Sequence, residues 1–147
     1  MRFRDFREIQ RIYGAVIEEY LEFLKIEGRS EKLSKIIPRK YLDSYRKTQS
    51  SFVALVEGKL AGFILGRVVE YVNSYKRVLW LDYVAVDPQY RRKGVGTLLV
   101  NKTRDYARRN RIDEIFTTLN IDNEPSKQLL MKSGFSVRDW RVASFLI

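Results

Sequence analysis

A basic loop with two glycines stands between a predicted strand and a predicted helix, and its residue types are well suited to chemistry. The apolar run 83–86 stops at Asp87-Pro88, and an amphipathic pattern resumes at Val95. A helix that begins there leaves its first backbone N–H groups without an intrahelical partner, and such groups bind anions, phosphate above all. Gly94 and Gly96 would let a ligand approach the backbone closely, because glycine has no Cβ. Positive charge at this place comes from Arg91, Arg92 and Lys93.

A second segment, 120–135, predicts a short capped helix. Asn123 is a favourable N-cap, and Pro125 suits the first turn. Gly134 suits the position that ends a helix before the chain extends again. The distance between the two segments leaves room for one helix and one strand.

Taken together, the two segments resemble the GNAT acetyltransferase superfamily. Residues 84–96 contain Val-x-Val-x-Pro followed by Arg-x-x-Gly-x-Gly, which is similar to the pyrophosphate loop of that family. Residues 120–135 are similar to its motif Asn-x-x-Asn-x-x-Ala-x-x-Leu-Tyr-x-x-x-Gly-Phe. The resemblance covers roughly residues 52–140 and implies an α/β fold with splayed central strands. The family's sheet is mixed and mostly antiparallel, with about six to seven strands flanked by about four helices.

Apolar periodicity places the elements that would position these segments in a single domain, 1–147. The predicted helices are 6–26, 38–48, 95–109 and 124–133. The predicted strands are 2–4, 52–56, 61–69, 77–86, 113–119, 135–140 and 142–147.

The resemblance also implies a site for acetyl-CoA. The backbone N–H near Val84 would polarise the thioester carbonyl as the oxyanion forms. The residues implied to hold the cofactor are Val84, Ala85, Val86, Arg91, Arg92, Lys93, Gly94, Val95, Gly96, Thr97, Asn123 and Ser126.

Asp82 is the candidate base that takes a proton from the acceptor amine. It lies two residues before Val84, so strand alternation predicts that both side chains project to the same face. Many members of the resembled family carry Glu or Asp at this position. The alternative interpretation is a structural acid at the solvent edge of the strand.

One position departs from the family pattern. The tyrosine that usually serves as general acid is replaced by Leu130, which has no proton to give to a leaving thiolate. Either water protonates the thiolate, or another hydroxyl does, the candidates being Tyr71, Tyr75, Tyr83 and Ser126.

Composition narrows the chemistry further. The 147 residues include no Cys and no His, which excludes thiolate nucleophiles, a Ser-His-Asp triad and most zinc sites. No metal is therefore expected. Direct transfer from a thioester suits such a chain, because the acyl group is already activated and the protein mainly positions the reactants and takes a proton.

No apolar run is long enough to span a bilayer and no signal peptide is recognised, so a cytoplasmic location is expected.

Three functions remain open at this stage. The first is an acetyl-CoA-dependent N-acetyltransferase that acts on a primary amine of a small molecule, a lysine or a peptide N-terminus. The second is a non-catalytic acyl-CoA-binding module, suggested by Leu130. The third is a nucleic-acid-binding protein, suggested by the net charge of +10 and the basic run 108–111. The C-terminal run 142–147 could form the interface of a homodimer. Acidic residues on or near the first helix either attract a cationic acceptor or form a solvated acidic face: Glu18, Glu19, Glu22 and Glu27.

Overall fold

In the described part of the chain, two helices are followed by three strands, a helix, a strand and a last helix. The computed structural model describes residues 1–26, 28, 33–71, 76–120 and 122–138. The helices in this part of the chain are α1 (Phe6–Ile26), α2 (Arg39–Lys47), α3 (Val95–Arg109) and α4 (Glu124–Lys132). The strands are β1 (Phe52–Val56), β2 (Lys59–Tyr71), β3 (Lys76–Val86) and β4 (Glu114–Thr117).

These elements confirm the predicted helices and the four central strands to within two residues at each end. The predicted first strand at 2–4 is wrong, because Phe3–Asp5 is a short 3-10 helix in which the Asp5 carboxylate accepts a hydrogen bond from the Arg2 N–H. Residues 135–138 form no strand, since the Phe135 N–H continues the end of α4 by donating to Leu130 O at 3.0 Å. Residues 139–147 lie outside the described part, which therefore holds four strands against the predicted six to seven.

The sheet has the strand order β1-β2-β3-β4. β1, β2 and β3 are antiparallel neighbours, whereas β3 and β4 are parallel, which confirms the prediction of a mixed and mostly antiparallel sheet. The β1–β2 connection is a two-residue turn at Glu57 and Gly58, with φ of 50° and 77°. Two positive φ values are what a tight hairpin turn requires, and glycine adopts them without a steric penalty.

Helices cover both faces of the sheet, and each face has its own apolar cluster. The cluster beneath α1 and α2 contains Phe6, Ile9, Ile12, Leu42, Leu60, Phe63, Leu65 and Ala85. The cluster beneath α3 contains Ala54, Ala61, Ile64, Leu79, Leu81, Val95, Leu99 and Ala107. Burial of these side chains supplies most of the driving force that holds the helices on the sheet.

A β-bulge interrupts the pairing of β2 with β3. Leu65 is opposite Tyr83 and Gly66 is opposite Leu81, so Asp82 is an extra residue with no partner on β2. A bulge turns one strand locally and redirects the side chains around it. The side chain of Asp82 is therefore placed by the bulge rather than by regular strand alternation.

Two buried serines hold the bulge on its other side. Ser50 Oγ donates to Gly66 O at 2.6 Å, and Ser51 Oγ accepts from Gly66 N at 3.0 Å. Both serines are at most 4% exposed. Because β1 begins only at Phe52, these hydroxyls satisfy the Gly66 backbone where the β1 ladder has not yet started.

The end of β3 is held to α1 by an ion pair in which the carboxylate is buried and the guanidinium is half exposed. Arg11 donates to Asp87 Oδ2 at 2.6 Å, and the other Asp87 oxygen accepts from the Gln89 N–H at 3.0 Å. The Asp87 side chain is 3% exposed. Burial alone would raise the pKa of Asp87, but the hydrogen bonds from Arg11 and Gln89 and the nearby positive charge hold that pKa below its usual value.

Substitution of Gly66 tests the packing of the bulge. A Cβ on Gly66 would lie 3.1 Å from Ser50 O and 3.2 Å from the side chain of Leu81, so we expect Gly66→Ala to lower the free energy of unfolding. The expected loss is about 1–3 kcal/mol, the usual cost of overpacking. Gly14→Ala is the control, because Gly14 lies in a helix and a Cβ there would lie 3.6 Å from Lys35 O, which is an ordinary van der Waals contact. Urea unfolding that finds Gly66→Ala as stable as the wild type would contradict this account.

The Asp87 ion pair predicts a pH-dependent stability. Because folding lowers the Asp87 pKa, the carboxylate stabilises the fold at pH above its unfolded pKa of about 4, and this contribution is lost as pH falls through the folded pKa. We expect Asp87→Asn to cost about 1–3 kcal/mol of unfolding free energy at pH 7 and less at pH 3. Chemical denaturation at both pH values measures the difference.

The control for that measurement is Glu8→Gln. Glu8 pairs with the same Arg11 at 2.9 Å, but its side chain is 44% exposed, so we expect a change below about 0.5 kcal/mol. If Asp87→Asn costs the same at pH 3 as at pH 7, the stabilisation does not come from the charge of Asp87.

Candidate active site

Strands β3 and β4 separate partway along their length. They pair from Val78↔Glu114 to Leu81↔Thr117, and β4 ends there while β3 continues to Val86. Thr117 Oγ1 donates to Leu81 O at 3.0 Å and closes the last paired position. Among the described residues, 82–86 therefore have no strand partner on the β4 side, and we call the space beside them the strand gap.

The backbone of Val84 faces the strand gap. The Asp87 N–H donates to Ala61 O at 2.9 Å, so Asp87 points toward β2. In an antiparallel pair the direction alternates, so Ala85 also points toward β2, whereas Val84 and Val86 point away from it. Among the predicted cofactor residues of β3, Val84 and Val86 thus offer polar groups to the gap and Ala85 does not.

The loop after β3 presents a helix N-terminus to solvent. Gly94 is the N-cap of α3 with φ of 79°, and no side chain caps this helix end. The first intrahelical bond runs from Leu98 N to Gly94 O at 2.9 Å, so the N–H groups of Val95, Gly96 and Thr97 have no partner within the helix. A Cβ on Gly94 would meet no described atom within 4 Å, so this N-terminus is open to an anion.

The three basic residues of the loop differ in their surroundings. Arg91 donates to Glu19 of α1 at 2.6 Å, while Lys93 Nζ lies 5.5 Å from the centre of the Tyr90 ring. Arg92 is exposed and has φ of 59°, a left-handed conformation that costs a non-glycine residue about 1 kcal/mol. The charge of Arg91 is therefore already partnered, and Arg92 and Lys93 are the cations turned to solvent.

Helix α4 packs close to the start of α3. A Cβ on Gly96 would lie 3.0 Å from the Leu129 side chain, so glycine at this position allows the two helices to approach. Asn123 is the N-cap of α4, and its Oδ1 accepts from the Ser126 N–H at 3.2 Å, which confirms the predicted cap. Leu130 is 7% exposed, and Ser126 lies one turn before it on the same face of α4.

Asp82 lies at the strand separation but on the opposite face from Val84. The Val84 side chain packs on the cluster beneath α3, whereas Asp82 Oδ1 accepts from Arg67 at 2.8 Å and its carboxylate lies beside Tyr45 of α2. The prediction that Asp82 and Val84 share a face is wrong, because Asp82 is the extra residue of the bulge.

Sequence reasoning missed Arg67 and Tyr45 as neighbours of Asp82. Burial, followed by the charge of Asp82 and a hydrogen bond with its side chain, raises the pKa of Tyr45 to about 12. Tyr45 therefore keeps its proton near neutral pH. The one signal available in the sequence was the step from Leu81 to Val84, since apolar residues three apart break the alternation of a regular strand.

Of the tyrosines considered as replacements for the missing general acid, Tyr83 is described and does not lie in the strand gap. Tyr83 packs against Tyr13 and Phe63 on the α1 face, with ring centres 4.9 and 5.9 Å apart. Burial raises the pKa of Tyr83 far above its usual value. The Tyr71 side chain and Tyr75 lie outside the described residues.

Helix α1 also reaches the loop that follows β4. The side-chain amide of Asn120 donates to the Tyr20 hydroxyl at 2.8 Å. Of the acidic residues on α1, Glu18 pairs with Lys35 at 2.9 Å and Glu22 is exposed, while Glu27 lies outside the described residues. One end of this helix thus connects the two sides of the strand gap.

The described residues contain no group of three or more acidic, Cys or His side chains arranged to hold a metal ion. No helix among them combines the length and apolar character needed to cross a bilayer.

Comparison with known proteins gives both sequence and fold matches. An N-acetyltransferase from Methanocaldococcus jannaschii is 31% identical over 97 residues, which cover 64% of this chain and 42% of that protein. N-alpha-acetyltransferase 30 of Xenopus laevis is 31% identical over 99 residues, or 67% of this chain and 36% of that protein. The chain thus matches less than half the length of either relative.

A solved structure shares the fold across nearly the whole chain. An aminoglycoside acetyltransferase from an uncultured soil metagenomic sample superposes with a TM-score of 0.75 and 20% identity, covering 98% of this chain and 88% of that one. A family model, that of the acetyltransferase (GNAT) family, matches residues 11–135. Since this match includes the strand gap, the loop after β3 and the capped helix α4, the chain belongs to the acetyltransferase (GNAT) family.

Proposed function

We propose that this chain is an N-acetyltransferase that transfers an acetyl group directly from acetyl-CoA to a primary amine. GNAT family members use acetyl-CoA, and the residues of the site suit it. The observation that carries the proposal is the strand gap, where unpaired backbone groups of Val84 and Val86 lie beside the open N-terminus of α3. The unpaired strand backbone suits the extended, amide-containing arm of acetyl-CoA, and the open helix N-terminus suits its pyrophosphate.

Residues of the loop after β3 would hold the pyrophosphate. The N–H groups of Val95, Gly96 and Thr97 supply donors, and Arg92 and Lys93 supply exposed positive charge. Arg91 would reach the phosphates only by leaving Glu19. Val86, Asn123 and Ser126 border the same region and remain our proposed contacts to the arm.

Acetyl-CoA supplies an acetyl group that is already activated as a thioester. The Val84 N–H would donate to the carbonyl oxygen, where negative charge develops as the amine nitrogen bonds to the acetyl carbon. The carbon–sulfur bond would then break, the nitrogen would give up its second proton to water as the amide forms, and CoA would leave as the thiolate. Leu130 provides no proton for it, so Ser126, one turn earlier on α4, or water is the proposed donor.

Asp82 is the proposed base for the acceptor. An alkylammonium titrates near pH ~10, so the amine must give up a proton before it attacks. The Asp82 side chain lies at the strand separation and is 17% exposed, although its Oδ2 atom is buried, so the acceptor must displace part of the cover of this oxygen to reach it. The acceptor would then enter from the face opposite α3.

A peptide N-terminus is the acceptor that we favour among primary amines. The similarity to N-alpha-acetyltransferase 30 supports this choice, although it extends over only part of that protein. The exposed Glu22 and the partly exposed Glu18 on α1 are consistent with a cationic acceptor on that side. The structural neighbour of 20% identity bears on the fold alone.

Acetyl-CoA binding tests the cofactor site. We expect calorimetric titration to find micromolar binding to the wild type and at least about tenfold weaker binding to Gly94→Asp, because the new carboxylate repels the pyrophosphate. Gly58→Asp is the matched control: Gly58 has φ of 77° and, like Gly94, would meet no described atom within 4 Å. Equal binding by Gly94→Asp and the wild type would favour a general attraction of polyanions to the basic surface.

The role of Asp82 is tested by Asp82→Asn. We expect kcat for a peptide amine to fall by about 10²-fold, the usual contribution of a general base, while the affinity for acetyl-CoA stays unchanged. Asp105→Asn, on the exposed face of α3, is the control. An unchanged kcat in Asp82→Asn would remove Asp82 from the mechanism, and wild type that binds acetyl-CoA but acetylates no amine would favour a non-catalytic binding module.

A further inference from the structure

Asp82 is held by two elements that the sequence motifs do not include. Arg67 lies on β2 and donates to Asp82 Oδ1 at 2.8 Å. Tyr45 comes from α2, and its hydroxyl interacts with the same carboxylate. Both neighbours lie far from Asp82 in sequence, so their convergence depends on the docking of α2 against the sheet.

The second carboxylate oxygen of Asp82, Oδ2, is not bound by Arg67. Oδ2 is buried and has no hydrogen-bond partner of normal geometry among the described residues. A buried carboxylate oxygen without a hydrogen-bond donor raises the free energy of the folded state, because it has lost its hydrogen bonds to water and made none to the protein. Such an atom can accept a further hydrogen bond, and an ammonium group is a strong donor.

The bulge explains why this oxygen lies where β3 and β4 separate. Asp82 directly follows Leu81, the last residue of β3 paired with β4. Ser50 and Ser51 hold the opposite side of the bulge through the backbone of Gly66. The carboxylate is therefore fixed both through its own strand and through Arg67.

We propose that Arg67 and Tyr45 are positioning residues, which fix the Asp82 carboxylate so that its free Oδ2 receives the ammonium group of the acceptor. This inference rests on the proposed function. The Arg67 guanidinium occupies Oδ1 and limits rotation of the carboxylate, while the Tyr45 hydroxyl limits its displacement toward α2. The acceptor ammonium binds at Oδ2 and transfers one proton to it, and the neutral amine then attacks the acetyl carbon. The carbon–sulfur bond breaks, CoA leaves as the thiolate, and the nitrogen gives up its second proton to water.

The arrangement also restricts the class of acceptor. Arg67 is 56% exposed, so a positive charge stands beside the path to Asp82. An acceptor with one cationic group at its reacting end can donate a hydrogen bond to Oδ2. A second cationic group next to the first would be repelled by the guanidinium of Arg67. A peptide N-terminus with an uncharged neighbouring side chain fits better than a polyamine.

A double-mutant cycle separates positioning from general structural support. The variants are Tyr45→Phe, Asp82→Asn and the pair combined, with kcat followed by mass spectrometry of an acetylated peptide. We expect Tyr45→Phe to lower kcat by about tenfold in the wild type, with the KM for acetyl-CoA unchanged, and to lower it no further in Asp82→Asn. Tyr41→Phe is the control, because Tyr41 lies on the same helix and is 52% exposed.

Arg67 is tested by rescue. We expect Arg67→Gln to lower kcat by about tenfold and Arg67→Lys to recover most of that loss, since lysine keeps the charge that holds Oδ1. A peptide that begins with Lys should react more slowly than one that begins with Ala, and this preference should disappear in Arg67→Gln.

The outcomes also distinguish the inference from the function on which it rests. If Tyr45→Phe lowers kcat by the same factor in both backgrounds, or if Arg67→Lys is as impaired as Arg67→Gln, the positioning role is overturned. If the wild type acetylates no amine at all, the proposed function fails instead.

Discussion

The backbone of β3 beyond Leu81, which has no β4 partner among the described residues, is the constraint around which the rest of the structure is arranged. A buried N–H or C=O without a partner costs about 1–3 kcal/mol, so a strand edge can stay unpaired inside a fold only where water or a ligand reaches it. The last β3–β4 pair is closed by Thr117, and the next residue of β3 is the bulged Asp82. The same interruption therefore opens the gap and redirects the carboxylate beside it.

Helix α1 compensates for the missing strand pairing. It contacts the end of β3 through Arg11 and Asp87, the loop after β3 through Glu19 and Arg91, and the loop after β4 through Tyr20 and Asn120. Those contacts span both sides of the gap, so the two strands are held together although they no longer share a hydrogen-bond ladder. Glu19 of α1 is paired with Arg91, and a bound pyrophosphate would compete with Glu19 for that guanidinium. Binding at the loop after β3 would therefore weaken one of the contacts that hold α1.

Much of the frame could be predicted from the sequence, since it depends on local patterns. The helical spacing of Ile9, Ile12 and Ile17 and the glycine that caps α3 are short-range signals, and the structure confirms both elements. The first strand was predicted wrongly because three alternating residues carry too little pattern to exclude a turn. Strand alternation also predicted the wrong face for Asp82. A bulge shifts the register by one residue, so side chains before the bulge point to the face opposite the one that alternation predicts.

The partners of Asp82 could not be found in the same way. Arg67 and Tyr45 are 15 and 37 positions away from Asp82 in the sequence, and their meeting depends on tertiary packing of α2 and on the β2–β3 register. No local motif contains that information. Conversely, the prediction that the loop residues 91–97 bind an anion rests on local features, because a helix N-terminus with glycine and basic residues attracts anions without help from distant parts of the chain; it stays a prediction.

A crystal structure of this chain with CoA bound would test the central claim most directly. The account predicts the pyrophosphate on the N–H groups of Val95, Gly96 and Thr97, and the pantetheine arm in the strand gap beside Val84 and Val86. CoA bound elsewhere, for example on the exposed arginines at the end of α3, with the strand gap empty, would contradict it.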